Sequence, residues 1–158
     1  MIEPIIKTIS EKKLVGMSIR MSLAENKTFS LWQNFMPRRK EISHALSTDL
    51  ISMQVYDAPL QAGNMCQAFD KWAAVEVPNF ENIPEGMHTF TLVGGLYAVF
   101  HYKGLSTDPS IFRYIFGEWL PNSNYALDQR PHFEVLGAKY KNNDPESEEE
   151  IWIPIKAR

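Results

Sequence analysis

The same succession of patterns runs through the chain twice. In the first half PIIKTI and KLVGMSIRM alternate like strands and are joined by the turn-prone SEKK. KTFSLWQNFM follows, with Phe29, Trp32, Phe35 and Met36 at the three- and four-residue spacing of one helix face, and Pro37 ends or kinks it. DLISMQVYD and KWAAVEV then close the unit as strands. In the second half MHTFTLV and LYAVFHYKG predict a hairpin about Gly94–Gly95. A helix should begin at STDPSIF, with Asp108 as N-cap and Pro109 in the first helical position. Ile111, Phe112, Ile115, Phe116, Trp119 and Leu120 make its apolar face, and Pro121 stops it. HFEVLGAKY and EEIWIPI are the closing strands. The interruption PNFENIPEG, residues 78–86, divides pseudo-repeats of about 1–79 and 86–158.

A duplicated strand–helix–strand–strand unit predicts an α+β fold. Its two antiparallel-sheet lobes are related by an approximate two-fold axis within a single domain, 1–158. The seam between such lobes is a natural place for a cleft.

Bulk properties remove several classes of function. The 158 residues are 44% hydrophobic and 22% charged, an ordinary globular balance. The net charge of −3 carries no basic surplus, and the one dense basic cluster, Arg38–Lys40, reads as the solvated end of a helix. Direct nucleic-acid binding is therefore not expected. One cysteine, Cys66, allows neither an internal disulfide nor a cysteine-based zinc site, which fits a reducing compartment; it reads as a buried or half-buried small residue. The first residues carry Glu3, Pro4 and Lys7 where a leader would be apolar, and no run is long enough to cross a bilayer, so a cytoplasmic location is expected. The acidic run Glu146–Glu150 reads as a solvated loop. His44, His88, His101 and His132 form no metal-binding spacing, and neither a cofactor motif nor a nucleophile motif is present.

Glu134 is the unusual residue. It stands within the apolar strand HFEVL, with His132 and Leu136 on its own face and Phe133 and Val135 on the other. A charge among apolar neighbours is costly unless it is paired or faces water, so Glu134 is either a surface strand residue or an acid in a pocket. His132 reads as a surface residue. Trp152 falls opposite the Ile151–Ile153–Ile155 face and is a candidate pocket wall; Trp72 holds the equivalent place in the first half. Tyr56 lies on the strand equivalent to that of Glu134. Trp119 and Phe116 belong to a helix stripe that is more often core than ligand contact.

Four motifs in series, IPEGMHTFTLVGGLYAVFHYKG, WLPNSNY, PHFEVLG and EIWIPIK, resemble the GyrI-like small-molecule-binding domain. LVGMSIRMS, LWQNFMPRRKEI and MQVYDAP extend the resemblance over nearly the whole chain. That domain is the effector-binding module of some AraC-type and MerR-type regulators and also occurs alone. The resemblance implies a central cleft with aromatic walls and a glutamate at its floor, receiving hydrophobic, cationic compounds. The family's glutamate falls on Glu134, and Trp152, Trp119, Trp72, Tyr56 and Leu136 are the other ligand-binding candidates. Leu136 stands where many members have a tyrosine.

The leading expectation is a stand-alone binding protein for small hydrophobic cations. It would sense or sequester them, with a separate regulator as possible partner, and carry no helix-turn-helix of its own. An alternative is a hydrolase of reactive cyclopropane-containing compounds, with Glu134 as general base. A further alternative is a protein-interaction role such as gyrase inhibition.

Overall fold

The computed structural model describes residues 2–158. The strands are β1 (Ile5–Ile9), β2 (Lys12–Met21), β3 (Leu50–Val55), β4 (Phe69–Val77), β5 (His88–Leu92), β6 (Gly95–Lys103), β7 (Tyr125–Leu127), β8 (His132–Leu136) and β9 (Glu148–Ala157). Eight of them form one antiparallel sheet in the order β1-β6-β9-β8-β3-β4-β2-β5, and β7 adds to β9. The order reads symmetrically about the β3–β8 pair, which joins the two halves.

The expected hairpins do not form. β1 pairs with β6 of the other half, and β5 pairs with β2. Each half therefore lends its first strand to the other. Alternation specifies which face of a strand is buried and leaves its partner open, so a local and an exchanged pairing look alike in sequence. Because β1 and β2 are consecutive yet lie towards opposite edges, the sheet must curl until its edges meet. They meet where the two connections cross. A Cβ at Gly94 would stand 2.5 Å from the Ile9 carbonyl oxygen, so only glycine allows this approach.

The curl encloses one core: Leu14, Met53, Trp72, Leu92, Tyr97, Phe133 and Trp152 converge from seven strands. The outer face carries two further cores, one under each helix. Helix α1 (Thr28–Phe35) covers Val15, Ala73 and Val75 with Leu31 and Phe35. The predicted stripe is corrected here. Phe29 is 75% exposed and Met36 also faces solvent, while Leu31 takes the buried position. Beyond Pro37 the chain continues as a 3-10 turn, Met36–Glu41.

Helix α2 (Ser110–Tyr114) runs into a π turn (Ile115–Trp119) and a short α3 (Leu120–Asn122). The helix begins one residue later than expected, with Pro109 rather than Asp108 in the cap position. Asp108 Oδ1 still accepts from the Ser110 N–H at 2.9 Å, and that bond first of all holds the Asp108 carboxyl below its ordinary range. Pro121 has no N–H to offer, and just before it the Leu120 N–H reaches back five residues to the Ile115 carbonyl. Ile111 and Ile115 of this helical run pack on Phe100, Ile151, Ile153 and Ile155. Cys66, expected to be at least half-buried, is exposed.

The tightness of the β2–β4 pairing can be tested directly. A Cβ on Gly16 would lie 2.0 Å from the Ala73 carbonyl oxygen and 2.6 Å from the Ala74 Cα, whereas one on Gly117 meets nothing within 4 Å. Gly16→Ala will cost about 1–3 kcal/mol or more in urea unfolding. Gly117→Ala, in an open helical position, will raise stability by up to about 1 kcal/mol.

Candidate functional site between the two helices

Helix α1 contacts β2 and β4, and the helical run from α2 to α3 packs on β6 and β9. The central strands β3 and β8 lie between them, so a gap follows the line where the two halves join. Register places the side chains there in rows. Ser52 of β3 stands directly opposite Glu134 of β8, and Ile51 and Met53, on the other face, stand opposite Val135 and Phe133. One step along, Lys71, Gln54 and His132 form a row across β4, β3 and β8. Leu136 is buried on the same face as Glu134, opposite Leu50.

Charged groups gather in this gap. Glu149 of β9 is only 5% exposed and its carboxyl is within hydrogen-bonding reach of Glu134. Burial, then the Glu134 carboxylate, push Glu149 up to about 9, so it holds its proton at neutral pH. Lys71 is 7% exposed; burial lowers its pKa, while Glu134 and Glu149 oppose that shift. Glu134 itself is half-buried and open to an approaching group.

Aromatic rings border the charges. Tyr56 packs on Phe69 at 5.0 Å and edge-on to His132 at 5.4 Å, and Phe116 of the π turn lies 6.1 Å from His132. Burial pushes the Tyr56 hydroxyl up to about 12 and His132 down to about 4, so both are neutral at physiological pH. A cavity of about 250 Å³ opens beside them, lined also by Pro59, Leu60, Leu127 and Arg130.

Comparison with known proteins places the chain among effector-binding domains. A family described as Cass2, integron-associated effector binding protein, matches residues 5–155. The chain belongs to this effector-binding family. Over 150 residues this GyrI-like domain is 29% identical to the transcriptional regulator BrlR of Pseudomonas aeruginosa, an alignment covering 90% of the chain and 51% of BrlR. The domain thus spans about half of BrlR's length. The structure of SAV2435 bound to tetraphenylphosphonium superposes with a TM-score of 0.74 at 16% identity, over 98% of this chain and 94% of that one. The C-terminal domain of EcmrR gives 0.73 at 14% identity, over 100% and 99%. At these identities the two structures establish the shared fold.

Of the six ligand-binding candidates from sequence, the gap brings together Glu134, Tyr56 and Leu136. Trp72 and Trp152 are not there. Both point into the curl, on the opposite face of the sheet from Glu134. Trp152 stacks on Phe133 at 5.1 Å with the Lys7 ammonium 5.5 Å from its ring, and Trp72 packs on Phe90 at 5.4 Å. Both are buried on that inner face because adjacent positions on a strand face opposite ways, and Trp152 with Leu14, Phe133 and Glu150 lines a separate cavity of about 170 Å³ there. Trp119 lies to one side, edge-on to Phe100 at 5.2 Å and stacked on Tyr125; from the same helical run it is Phe116 that borders His132.

Sequence reasoning missed Lys71, Glu149 and His132. The acidic run is corrected: Glu148–Glu150 open β9, and Glu149 shares the buried face of Ile151 and Ile153. His132 is buried rather than on the surface. The missed signal was phase. Lys71 alternates with the buried Phe69, Ala73 and Val75, and Glu149 with the isoleucines, so each stood on an apolar face in plain sequence.

The protonated Glu149 has a measurable consequence. The folded state retains a proton that the unfolded chain loses above the ordinary 4.5, so its stabilising contribution is full below that pH and is lost as pH rises towards about 9. Glu149→Gln, which keeps a donor for Glu134, will be more stable than wild type at pH 8. The advantage will shrink towards pH 5 in paired urea titrations; an equal advantage at both pH values would contradict the assignment.

Proposed function

We propose that the chain is an effector-binding protein that takes up small hydrophobic molecules bearing a positive charge, held in the gap between the helices with Glu134 as the counter-charge. The observation that carries this is the half-buried Glu134 carboxylate beside a second carboxyl, Glu149, with the rings of Tyr56 and Phe116 close by. A carboxylate removed from bulk water attracts a ligand cation more strongly than an exposed one. Aromatic faces each add about 0.5–2 kcal/mol towards a desolvated cation. The domain's kinship with BrlR and the tetraphenylphosphonium bound to SAV2435 support the same reading. Bound effector would then be sensed in concert with a separate regulator, or simply sequestered.

Calorimetric titration with tetraphenylphosphonium tests it. Glu134→Gln will weaken binding at least tenfold, about 1.4 kcal/mol. Affinity will also rise between pH 7 and pH 9. Across that range His132 and Tyr56 stay neutral, whereas Glu149 approaches its titration near 9, which makes the gap more negative. Binding indifferent to Glu134, or falling with pH over this range, would overturn the assignment.

A further inference from the structure

We propose that the effector of this chain is amphoteric: a hydrophobic molecule whose cationic group meets Glu134 and whose acidic group meets Lys71. The proposal rests on the binding reading above and adds a second pole to it.

Lys71 is a buried amine with no close counter-ion. Glu134 and Glu149 are its charged neighbours, yet among the described residues it forms neither an ion pair within 4.0 Å nor a hydrogen bond. Gln54, directly opposite it, has a buried Oε1 without a hydrogen-bond partner. His132, directly opposite Gln54, is 7% exposed, and its pKa responds to burial alone, with no hydrogen bond to hold either ring nitrogen. Three neighbouring strands thus present an amine, an amide and a neutral imidazole in one row, and none of the three heads is completed by the protein. Buried polar groups are nearly always partnered; the Gln54 Oε1 is the buried atom of this row left without a partner, and His132 carries the row to the edge of the cavity, where a group from outside can reach it.

The chemistry of the row selects an acid. Lys71 only donates, while the Gln54 amide and the His132 imidazole each offer a donor beside an acceptor, so a carboxylate can draw a donor from each; the Gln54 Oε1, itself an acceptor, needs a donor from elsewhere on the ligand. The cavity against His132 and Tyr56 provides room, and Pro59, Leu60 and Leu127 give it an apolar wall. Charge selects the same class. Burial disfavours the charged form of Lys71 and a carboxylate beside it favours that form, so the acidic pole of a zwitterion pairs with Lys71 while its cationic pole pairs with Glu134. A simple cation would meet Lys71 as a like charge within the same gap.

Rhodamine B, a cationic xanthene with a free carboxylate, and its ethyl ester, which lacks the carboxylate, form the test pair. Fluorescence anisotropy titrations at pH 7.5 will show wild type binding the acid at least tenfold more tightly than the ester. Lys71→Met will abolish that preference, weakening the acid and strengthening the ester. Lys71→Gln gives the same readout should the methionine variant fail to fold. An ester bound as tightly as the acid by wild type, or a preference unchanged in both variants, overturns the amphoteric assignment while the cation site stands. Failure of both dyes and of tetraphenylphosphonium to bind, or binding untouched by Glu134→Gln, removes the underlying site and the proposal with it.

Discussion

The pairing of β3 with β8 is the constraint on which the rest of the structure depends. It joins two half-sheets into one, and it sets Ser52 opposite Glu134 at the line where they join. Each helix needs a wide apolar surface and finds it on the outer strands of its own half, over Val15, Ala73 and Val75 or over Phe100, Ile151 and Ile153. The central strands are left between two covered surfaces. That is where a sheet can carry polar side chains without burying them beneath a helix.

The polar group in the gap is costly and internally balanced. Two carboxyls and one amine are drawn close in a setting where full ionisation of all three would place like charges side by side. The structure relieves this by leaving a proton on Glu149 and by setting Lys71 near, without contact. Such a balance is easily shifted by a ligand, since an incoming charge competes with groups already present rather than with bulk water. The same balance explains why Glu134 alone is an incomplete description of the site. Its partner Glu149 and its opponent Lys71 come from different strands of different halves.

The curl of the sheet imposes a second division. Its interior is an aromatic core in which Trp72, Tyr97, Phe133 and Trp152 pack against one another or their neighbours. Its exterior holds the helices and the charged gap. Pseudo-symmetry had suggested that the tryptophans of KWAAVEV and EIWIPI walled the same cleft as Glu134. Strand phase separates them instead, one face to the core and the other to the gap.

Much of this was written in the residues. The strands follow from alternation, the second helix from Asp108 and Pro109, and the phase of Glu134 against Phe133 from its position alone. The family could be read from four motifs in series. The phase of Lys71 and Glu149 was also present, but charge composition pointed to solvent and obscured it. What the chain determined by itself was which residues share a face, because backbone geometry alternates side chains regardless of partner. Which strands lie side by side was decided only by tertiary structure. Exchange of β1 and β5 between halves, and the meeting of Lys71, Glu134 and Glu149 in one gap, depend on contacts between segments far apart in sequence, on which a local periodicity carries no information.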